Sequence, residues 1–289
     1  MAITKQKYII GGTLQTPTPW NRNIAFISAG ESLSIETLAW QANIVANGGT
    51  ISAATLKIIN DNFFVPAKAN GNILTELDRF NLYAGLSGFE IAARTNLIKA
   101  AHYVTPVSSP TFDNSGYRSS GTSYLNLNFA PISQGVKFTR NNNIMGFVTK
   151  NPAFANNYRG IGALDTNVGS ARMEVSRDLN RLSGNNNSFT QITNNNTATS
   201  GYVFCATRRT AASGTGCEEM IINGNSTPSN NASTQNTGIS HFELCINING
   251  SPTGAFDIVN HACSWHGSAN LDYAAFRTIV SNLLTALGV

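Results

Sequence analysis

Charged side chains are scarce in this chain. Only 12% of its 289 residues are Asp, Glu, Lys or Arg, about half the share of roughly 25% in an average globular domain. A disordered chain would carry more charge and fewer aromatic residues, so the composition indicates a folded protein whose surface polarity comes from Asn, Ser, Thr and Gly. The net charge of +4 arises from scattered basic residues, among which only Arg208 and Arg209 adjoin. A nucleic-acid groove needs a basic stripe with interleaved aromatics, and we expect no nucleic-acid partner.

Long apolar runs are equally absent. No stretch of the sequence approaches the roughly 20 apolar residues that a membrane helix needs, so no membrane span is predicted. The N-terminus, MAITKQKYIIGGTLQTPTPW, contains no apolar segment of the length found in signal peptides. These absences predict a protein that is made in a cytoplasm and does not pass through a secretion channel.

Cysteine is rare, and its spacing matches no known site. The four cysteines form no CxxC pair and no zinc-binding spacing; they are Cys205, Cys217, Cys245 and Cys263. A secreted disulfide framework has a shorter and denser pattern. We therefore expect four reduced cysteines that lie half-buried on strands.

The first 32 residues are predicted to be an N-terminal arm. A short apolar run is followed by a Gly-Gly break at 11–12 and by two prolines, Pro17 and Pro19. This order favours a short edge strand that continues into an extended segment. We expect the arm to latch onto a neighbouring molecule in an assembly, through four apolar side chains: Tyr8, Ile9, Ile10 and Trp20.

Residues 33–100 are predicted to form a helical subdomain. Ser52 is placed to cap a second helix, and Pro66 is placed to end it. Two further apolar patterns with helical spacing predict a first and a third helix, and we expect both patterns to face the core. Their members are Ile35, Leu38, Ala42 and Val45 in the first, and Ile73, Leu77, Phe80 and Ala84 in the third.

Residues 101–289 have the pattern of β-strands separated by turns. Apolar and polar residues alternate strictly from Leu125 to Phe129, which is typical of a strand with one buried face. Asn-rich and Gly-rich turns separate the candidate strands, which favours a sandwich or jelly roll. A last helix is predicted from Asn270 to Gly288. The candidate strands are 124–129, 143–149, 171–176, 201–207, 218–222, 242–248 and 259–265.

The order of these elements resembles a group of phage structural proteins from viruses of Bacteroidetes. The matching segments are 47–50 (NGGT), 77–84 (LDRFNLYA), 93–98 (ARTNLI), 112–129 and 270–288. The resemblance implies a mainly β fold, a concanavalin-like jelly-roll sandwich with an N-terminal helical subdomain and a C-terminal helix. It also implies a virion component, such as a fibre, spike or head-decoration subunit. Such a protein is made in the host bacterial cytoplasm, forms a homo-oligomer and binds other virion proteins.

Glycoside hydrolysis is the enzymatic chemistry that such a sandwich would most readily carry. It needs two carboxylates at a defined separation, which would appear as Glu-x-Asp-x-x-Glu or Glu-x-Asp-x-Glu on a strand. Neither motif is present. Glu218 and Glu219 should point to opposite faces, and Glu174 with Asp178 has the pattern of a solvated ion-pair surface. The sequence predicts no catalytic residue and no enzyme; a polysaccharide hydrolase stays as the less favoured alternative.

Metal binding is not expected from the histidines. His261 and His266 are the only close pair, and five residues apart on a strand they should point to opposite faces. Trp265 and Cys263 should share the face of His261. Calcium is the one cofactor left open, because several oxygen ligands of the preferred type lie in one region: Asn156, Asn157, Asp165 and Asn167.

Sugar binding needs an exposed aromatic platform with polar side chains around it. The candidate residues are Tyr117, Arg118, Tyr158 and Arg159, with Trp265 as a further aromatic. The favoured function is therefore a virion structural protein that acts through assembly and contacts host-surface polysaccharide. The alternative is a lectin module that binds carbohydrate or a receptor.

Overall fold

The structure is a computed structural model and contains two units. It describes residues 8–10, 13–15, 32–150, 158–166, 171–178, 181–188, 190–195, 201–253, 255–256 and 259–289. The units comprise residues 1–32 and 33–289. In the first unit, strand β1 (Tyr8–Ile10) pairs antiparallel with β2 (Thr13–Gln15). The strand predicted at residues 8–10 is present, whereas Trp20 lies outside the described residues.

The second unit is mainly β. Its strands are β3 (Leu77–Leu82), β4 (Thr105–Val107), β5 (Thr111–Asp113), β6 (Gly116–Arg118), β7 (Tyr124–Asn126), β8 (Asn143–Lys150), β9 (Tyr158–Asp165), β10 (Ala171–Asp178), β11 (Arg181–Asn186), β12 (Ile192–Asn194), β13 (Tyr202–Arg209), β14 (Glu218–Ile222), β15 (Asn225–Ser229), β16 (Phe242–Glu243), β17 (Ile246–Ile248), β18 (Ser251–Thr253), β19 (Ala255–Phe256) and β20 (His261–Gly267).

These strands form two sheets in a sandwich-like arrangement. In the described part of the chain, one sheet has eight strands in the order β15-β14-β13-β8-β20-β6-β5, with β3 paired to β20. The other has ten strands in the order β12-β11-β10-β9-β16-β7-β4, with β17 and β19 paired to β9 and β18 paired to β17. Buried side chains from both sheets and from the helices belong to one continuous hydrophobic core. The fold is therefore mainly β, as the alternation of the sequence predicted.

The second unit also contains helices and helical turns. They are α1 (Ile35–Ala46), α2 (Ala53–Ile59), a π-helical turn (Asn60–Phe64), α3 (Val65–Ala69), a 3-10 turn (Ile73–Glu76), α4 (Glu90–Arg94), α5 (Pro131–Gln134) and α6 (Tyr273–Ala286). Ser52 caps α2, as predicted, by accepting a hydrogen bond from the Thr55 amide at 3.0 Å. Asp272 caps α6, two residues after the predicted start of this helix at Asn270. Among the described helices, none is both long and apolar enough to cross a membrane.

The first helix exposes the face that was predicted to be buried. Ile35 is 73% exposed and Val45 is 45% exposed, whereas Trp40 is 1% exposed. Two polar anchors explain the rotation: the Trp40 indole donates to the Thr95 carbonyl at 3.2 Å, and Thr37 faces inward on the same side. Burial of the large indole outweighs burial of the smaller aliphatic side chains.

The prediction of a third helix is wrong. Residues Leu77–Leu82 form β3, all six of which are buried, and β3 pairs with β20 near the end of the chain. A strand covered on both faces lacks the alternation that identifies a half-buried strand, so the local spacing fitted a helix equally well. Pro66 was also misplaced, because it begins α3 and does not end a helix.

Two predicted strands are interrupted by residues with left-handed backbone. The run from Leu125 to Phe129 leaves the sheet after Asn126, and Asn128 has a φ of 49°. The segment 242–248 is divided into β16 and β17 by Leu244, with a φ of 70°. A side chain in this conformation breaks the strand geometry, and side-chain alternation alone does not report it.

All four cysteines are buried and none forms a disulfide. Reduced cysteines were predicted, but they were expected to be half-buried and are instead fully enclosed in the core. Burial raises the pKa of the Cys245 thiol to about 12, which keeps this thiol protonated and weakly reactive.

Candidate functional site

The interior of the sandwich holds a polar cluster that the sequence analysis did not predict. We call it the Arg79 network, and each member is fully buried. Its carboxylate, Glu243, lies on β16 of the ten-stranded sheet, whereas its guanidinium, Arg79, lies on β3 of the eight-stranded sheet. The cluster therefore spans the two sheets. Its members are Arg79, Tyr83, Thr237, His241, Glu243, His261, Ser264 and His266.

Glu243 is the acceptor on one side of the network. One carboxylate oxygen accepts from the Tyr83 hydroxyl at 2.8 Å and the Ser264 hydroxyl at 2.7 Å, and the other accepts from His261 Nδ1 at 2.9 Å. The Arg79 Nη2 atom lies 3.7 Å from the carboxylate and donates to both hydroxyls. The buried negative charge is thus compensated by a buried positive charge and three hydrogen bonds.

The other side of the network is a histidine chain whose protonation pattern follows from Arg79. A guanidinium only donates, so His266 Nδ1, at 3.2 Å from Arg79 Nη1, is the acceptor. His266 Nε2 then carries the proton and donates to His241 Nδ1 at 2.9 Å. His241 Nε2 in turn donates to the Thr237 hydroxyl at 2.9 Å. Both imidazoles are neutral in this arrangement.

Burial accounts for the electrostatics of these groups. Burial, with the Arg79 charge as a second cause, lowers the pKa of His241 to about 3. The pKa of His266 is well below its usual value, first from burial and then from the neighbouring His241. Burial, with the Glu243 charge as a second cause, holds the pKa of Tyr83 well above its usual range. Because every side chain of the Arg79 network is fully buried, the network is part of the core and not a surface site.

A β-bulge explains why the two histidines share a face. The sequence predicted that His261 and His266 point to opposite faces of one strand. The register of β20 shifts between His261 and Cys263, and one extra residue reverses the side-chain alternation. Both histidines consequently enter the Arg79 network, while Trp265 faces α6 and packs against Phe276 with ring centroids 5.2 Å apart.

A second buried ion pair also links the two sheets. Arg209 Nη2 lies 3.1 Å from the Glu218 carboxylate, and both side chains are fully buried. Arg209 donates to the Asn186 carbonyl on β11 at 2.7 Å, and Glu218 accepts from the Asn186 amide at 2.6 Å. Burial raises the pKa of Glu218 despite the nearby guanidinium. Glu218 therefore helps to join the two sheets and is not available to a ligand at the surface.

The surface carries a pocket of about 380 Å³ beside the start of α6, which we call the α6 pocket. Its floor is the outward face of β13 and β14 with the β14–β15 turn, and its wall is the first turn of α6. Pockets of this size accommodate small ligands. The lining residues are Arg208, Glu219, Ile221, Gly224, Ser226, Leu271, Asp272, Tyr273, Ala274 and Arg277.

Four charged side chains define the chemistry of the α6 pocket. Arg208 and Glu219 are cross-strand partners and form an ion pair. Asp272 accepts from the Ala275 amide at 3.0 Å as the cap of α6. Arg277 lies against Gly224, where a Cβ atom would come within 2.4 Å of its Nη1 atom. The pocket therefore offers two guanidinium donors and two carboxylate acceptors over an apolar floor.

A second pocket of about 380 Å³ lies on the helical side of the unit. Its two aromatic members, Trp40 and Phe64, are buried, and the Trp40 indole already donates to Thr95, so neither ring is a platform for a ligand. Lys99, which also lines this pocket, pairs with Asp78 at 3.0 Å. The α6 pocket is consequently the stronger candidate site.

Two of the predicted sugar-binding aromatics are enclosed in the core. Tyr117 is fully buried, and its hydroxyl donates to Glu90 at 2.8 Å; Trp265 is also fully buried. Both assignments are wrong, because these rings contribute more stability inside the core than on the surface. Arg118 is exposed. Tyr158 and Arg159 begin β9, but their side chains lie outside what the structure describes.

The predicted carboxylates and metal ligands are placed as follows. Glu218 points inward and Glu219 lines the surface pocket, as their adjacency on a strand predicted. Glu174 and Asp178 lie on β10, and their side chains are outside the described residues. Asp165 accepts from the Gly238 amide at 2.9 Å, whereas Asn156, Asn157 and Asn167 are not among the described residues. Within the described residues, no group of three His, Cys, Asp or Glu is placed to hold a metal ion.

Comparison with known proteins relates this chain to solved structures at the level of the fold. No protein-family model and no curated protein sequence matches it. A mutant of Trypanosoma rangeli sialidase that displays trans-sialidase activity matches with a TM-score of 0.51 and 10% identity, over 79% of this chain and 39% of that one. Trypanosoma rangeli sialidase itself gives a TM-score of 0.48 and 12% identity, over 80% and 39%. The binding domain of botulinum neurotoxin serotype D gives 0.47 and 10%, over 73% and 51%.

These matches change one prediction. The sequence analysis predicted that the protein is not an enzyme, and this is contradicted by the similarity of its fold to the sialidase mutant that matches with a TM-score of 0.51. The chain spans only about 39% of the length of the sialidases that it covers best. The similarity therefore concerns the fold, and the absence of a carboxylate motif in the sequence was too weak a basis for excluding catalysis.

Proposed function

We propose that this chain is a lectin-like module that binds carbohydrate in the α6 pocket. The single observation that carries the proposal is the pocket itself, in which four charged groups converge above an apolar floor. We further propose that the sandwich is a concanavalin-like jelly roll. Lectin-like binding was the alternative function derived from the sequence, and the α6 pocket is the site that we propose for it.

The chemistry of the α6 pocket suits a sugar. A sugar presents hydroxyl groups that both donate and accept, around a ring with apolar C–H faces. Glu219 and Asp272 accept hydrogen bonds, Arg208 donates them, and the ring of Tyr273 with Ile221 supplies an apolar surface. Polar groups that are already held by neighbours lose little freedom on binding.

Hydrolysis of the bound sugar is the second candidate function. Two carboxylates, Glu219 and Asp272, line the same pocket, and glycoside hydrolysis uses a carboxylate pair in most families. The similarity to sialidases is compatible with this activity. Any binding experiment should therefore also measure the release of free sugar.

A glycan array that includes bacterial surface polysaccharides tests the proposed binding. We expect a defined set of glycans to bind the wild-type protein, and the variant Ala274→Trp to bind at least about tenfold more weakly, because the indole fills the pocket. Ala42→Trp is the matched control, since Ala42 is also an exposed helical alanine but lies on α1. A blank array, or equal loss of binding in both variants, would exclude the α6 pocket as a lectin site.

Membership of a phage virion is a separate proposal that rests on the sequence resemblance. We propose a fibre, spike or head-decoration subunit that is made in the host bacterial cytoplasm. We propose that it forms a homo-oligomer and that it also binds other virion proteins. Its assembly contact would be the arm, through Tyr8, Ile9, Ile10 and Trp20. The β1–β2 hairpin supports this proposal, because a short strand is suited to adding onto the sheet of a neighbour.

Deletion of residues 1–20 tests the assembly role of the arm. We expect the thermal unfolding of residues 33–289 to be unchanged and the oligomer to dissociate to monomer, as measured by mass photometry. Lys5→Ser with Lys7→Ser is the control, because it alters the arm without touching its apolar residues. An oligomer that persists after the deletion, or a deletion that unfolds the protein, would refute the latch.

A further inference from the structure

We infer that the α6 pocket selects sugars that carry a carboxylate, and that Arg277 is the residue that binds this group. The inference rests on the proposed carbohydrate-binding function and adds the chemical class of the ligand. Three observations carry it: the unused charge of Arg277, the position of its guanidinium beside Gly224, and the commitment of the other charged groups in the pocket.

Arg277 is the uncommitted cation of the α6 pocket. It is half-buried on the second turn of α6, and among the described residues it forms no ion pair and no side-chain hydrogen bond. The second arginine of the pocket, Arg208, is already paired with Glu219. A half-buried guanidinium loses part of its hydration, and no anion in the described part of the chain compensates for this loss. The position therefore favours binding of an anion from outside the chain.

The guanidinium of Arg277 lies close to the backbone of Gly224. Gly224 has a φ of +87°, in the left-handed region, and a Cβ atom there would lie 2.4 Å from Arg277 Nη1. The missing side chain therefore allows the guanidinium to rest on the β14–β15 turn. From this position the guanidinium is able to bind a carboxylate with two parallel hydrogen bonds.

The negative charges of the pocket do not satisfy Arg277. Glu219 is engaged by Arg208, and Asp272 accepts from the Ala275 amide as the cap of α6. Asp272 is the one charge that opposes an incoming carboxylate, and the partial positive charge of the helix start reduces its effect. The balance of these groups favours a ligand with one carboxylate directed at Arg277 and hydroxyls directed at Glu219 and Asp272.

Uronate trisaccharides and their methyl esters test the inference, because esterification removes the charge and keeps the sugar stereochemistry. Trisaccharides of galacturonate, mannuronate and guluronate would be titrated calorimetrically into the full-length protein. We expect at least one acid to bind about tenfold or more tightly than its ester, since a charge-assisted hydrogen bond contributes at least that factor.

Variants of the pocket locate the carboxylate. Arg277→Gln should reduce the affinity for the acid to that for the ester and leave the affinity for the ester unchanged. Gly224→Ala should weaken binding of the acid, because the new methyl group displaces the guanidinium. Asp272→Asn keeps the helix cap and should strengthen binding of the acid. Arg118→Gln, which removes an exposed arginine elsewhere, is the matched control and should change nothing.

Each outcome separates this inference from the proposed function. Neutral glycans that bind the α6 pocket, with every acid no tighter than its ester, would overturn the carboxylate selectivity and leave the lectin function intact. Equal loss of acid and ester in Arg277→Gln would overturn the assignment of Arg277. No binding of any sugar, neutral or acidic, would overturn both proposals. Unfolding temperatures of all variants would show that the protein remains folded in each comparison.

Discussion

Replacement of Arg79 by methionine is expected to destabilise the protein by about 3–5 kcal/mol. Arg79 is fully buried, and its guanidinium lies within ion-pair distance of Glu243. Methionine fills a similar volume and introduces no new polar atom. The loss would therefore report the cost of leaving the Glu243 carboxylate uncompensated in the core.

Chemical unfolding in urea measures this effect, and an exposed arginine provides the control. Arg118→Met removes the same group from the surface and should change the free energy of unfolding by no more than about 0.5 kcal/mol. Adding Glu243→Gln to Arg79→Met should restore part of the stability, because the unpaired charge is then removed. Equal stability of Arg79→Met and Arg118→Met would contradict the role assigned to the network.

Acidification from pH 6.5 to pH 4.5 is expected to lower the stability by about 2 kcal/mol for His241 alone. The pKa of His241 is lowered to about 3 in the folded protein, whereas an unfolded histidine titrates near 6.5. The unfolded chain therefore takes up a proton in this range and the folded chain does not. Stability is complete above about pH 6.5 and is lost as the pH falls towards 3.

Other groups contribute to this pH range in known directions. His266 acts in the same sense as His241, because its pKa is also lowered. Glu218 acts in the opposite sense above about pH 4.5, because burial raises its pKa. Asp78 contributes only below this range. Burial acts to raise its pKa, but hydrogen bonds from the Phe138 amide and from Lys99 outweigh burial and lower the pKa from 3.8.

The variant His266→Gln separates the histidine chain from these other groups. A glutamine amide still accepts from Arg79 and donates to His241, but it does not titrate. We expect the pH dependence of the free energy of unfolding to become shallower by about 1.4 kcal/mol per pH unit. Because buried groups are little screened, 0.5 M salt should leave the slope of the wild type unchanged. An unaltered slope in the variant would mean that His266 is charged in the folded protein.

The β architecture was predictable from local sequence, but the path of several elements was not. The strand Glu218–Ile222 was placed correctly because strand residues between two turn clusters leave few alternatives. The strand Leu77–Leu82 was taken for a helix because its partner is β20, almost 190 residues later. Pairing over such a distance has no trace in the local spacing of apolar residues.

The candidate pocket was largely hidden from sequence reasoning. Arg208 and Glu219 are opposed across two strands, and the presence of Glu219 on the outward face was predictable from its adjacency to Glu218. Arg277 belongs to the C-terminal helix and comes near them only through the packing of that helix. The aromatic residues singled out as sugar platforms, Tyr117 and Trp265, failed for the general reason that large rings are more often buried.

The members of the Arg79 network are far apart in the sequence, and this delays folding until nearly the whole chain has been synthesised. Arg79 and His266 are 187 residues apart, and β3 pairs only with β20 in the described sheets. While a ribosome is still synthesising the chain, a strand with a buried arginine has neither its sheet partner nor its carboxylate. The two sheets therefore close only after the last strand has left the ribosome, and contacts of this range make folding slow. A nascent chain that stops short of residue 267 would present β3 as an unpaired edge, open to pairing with other chains.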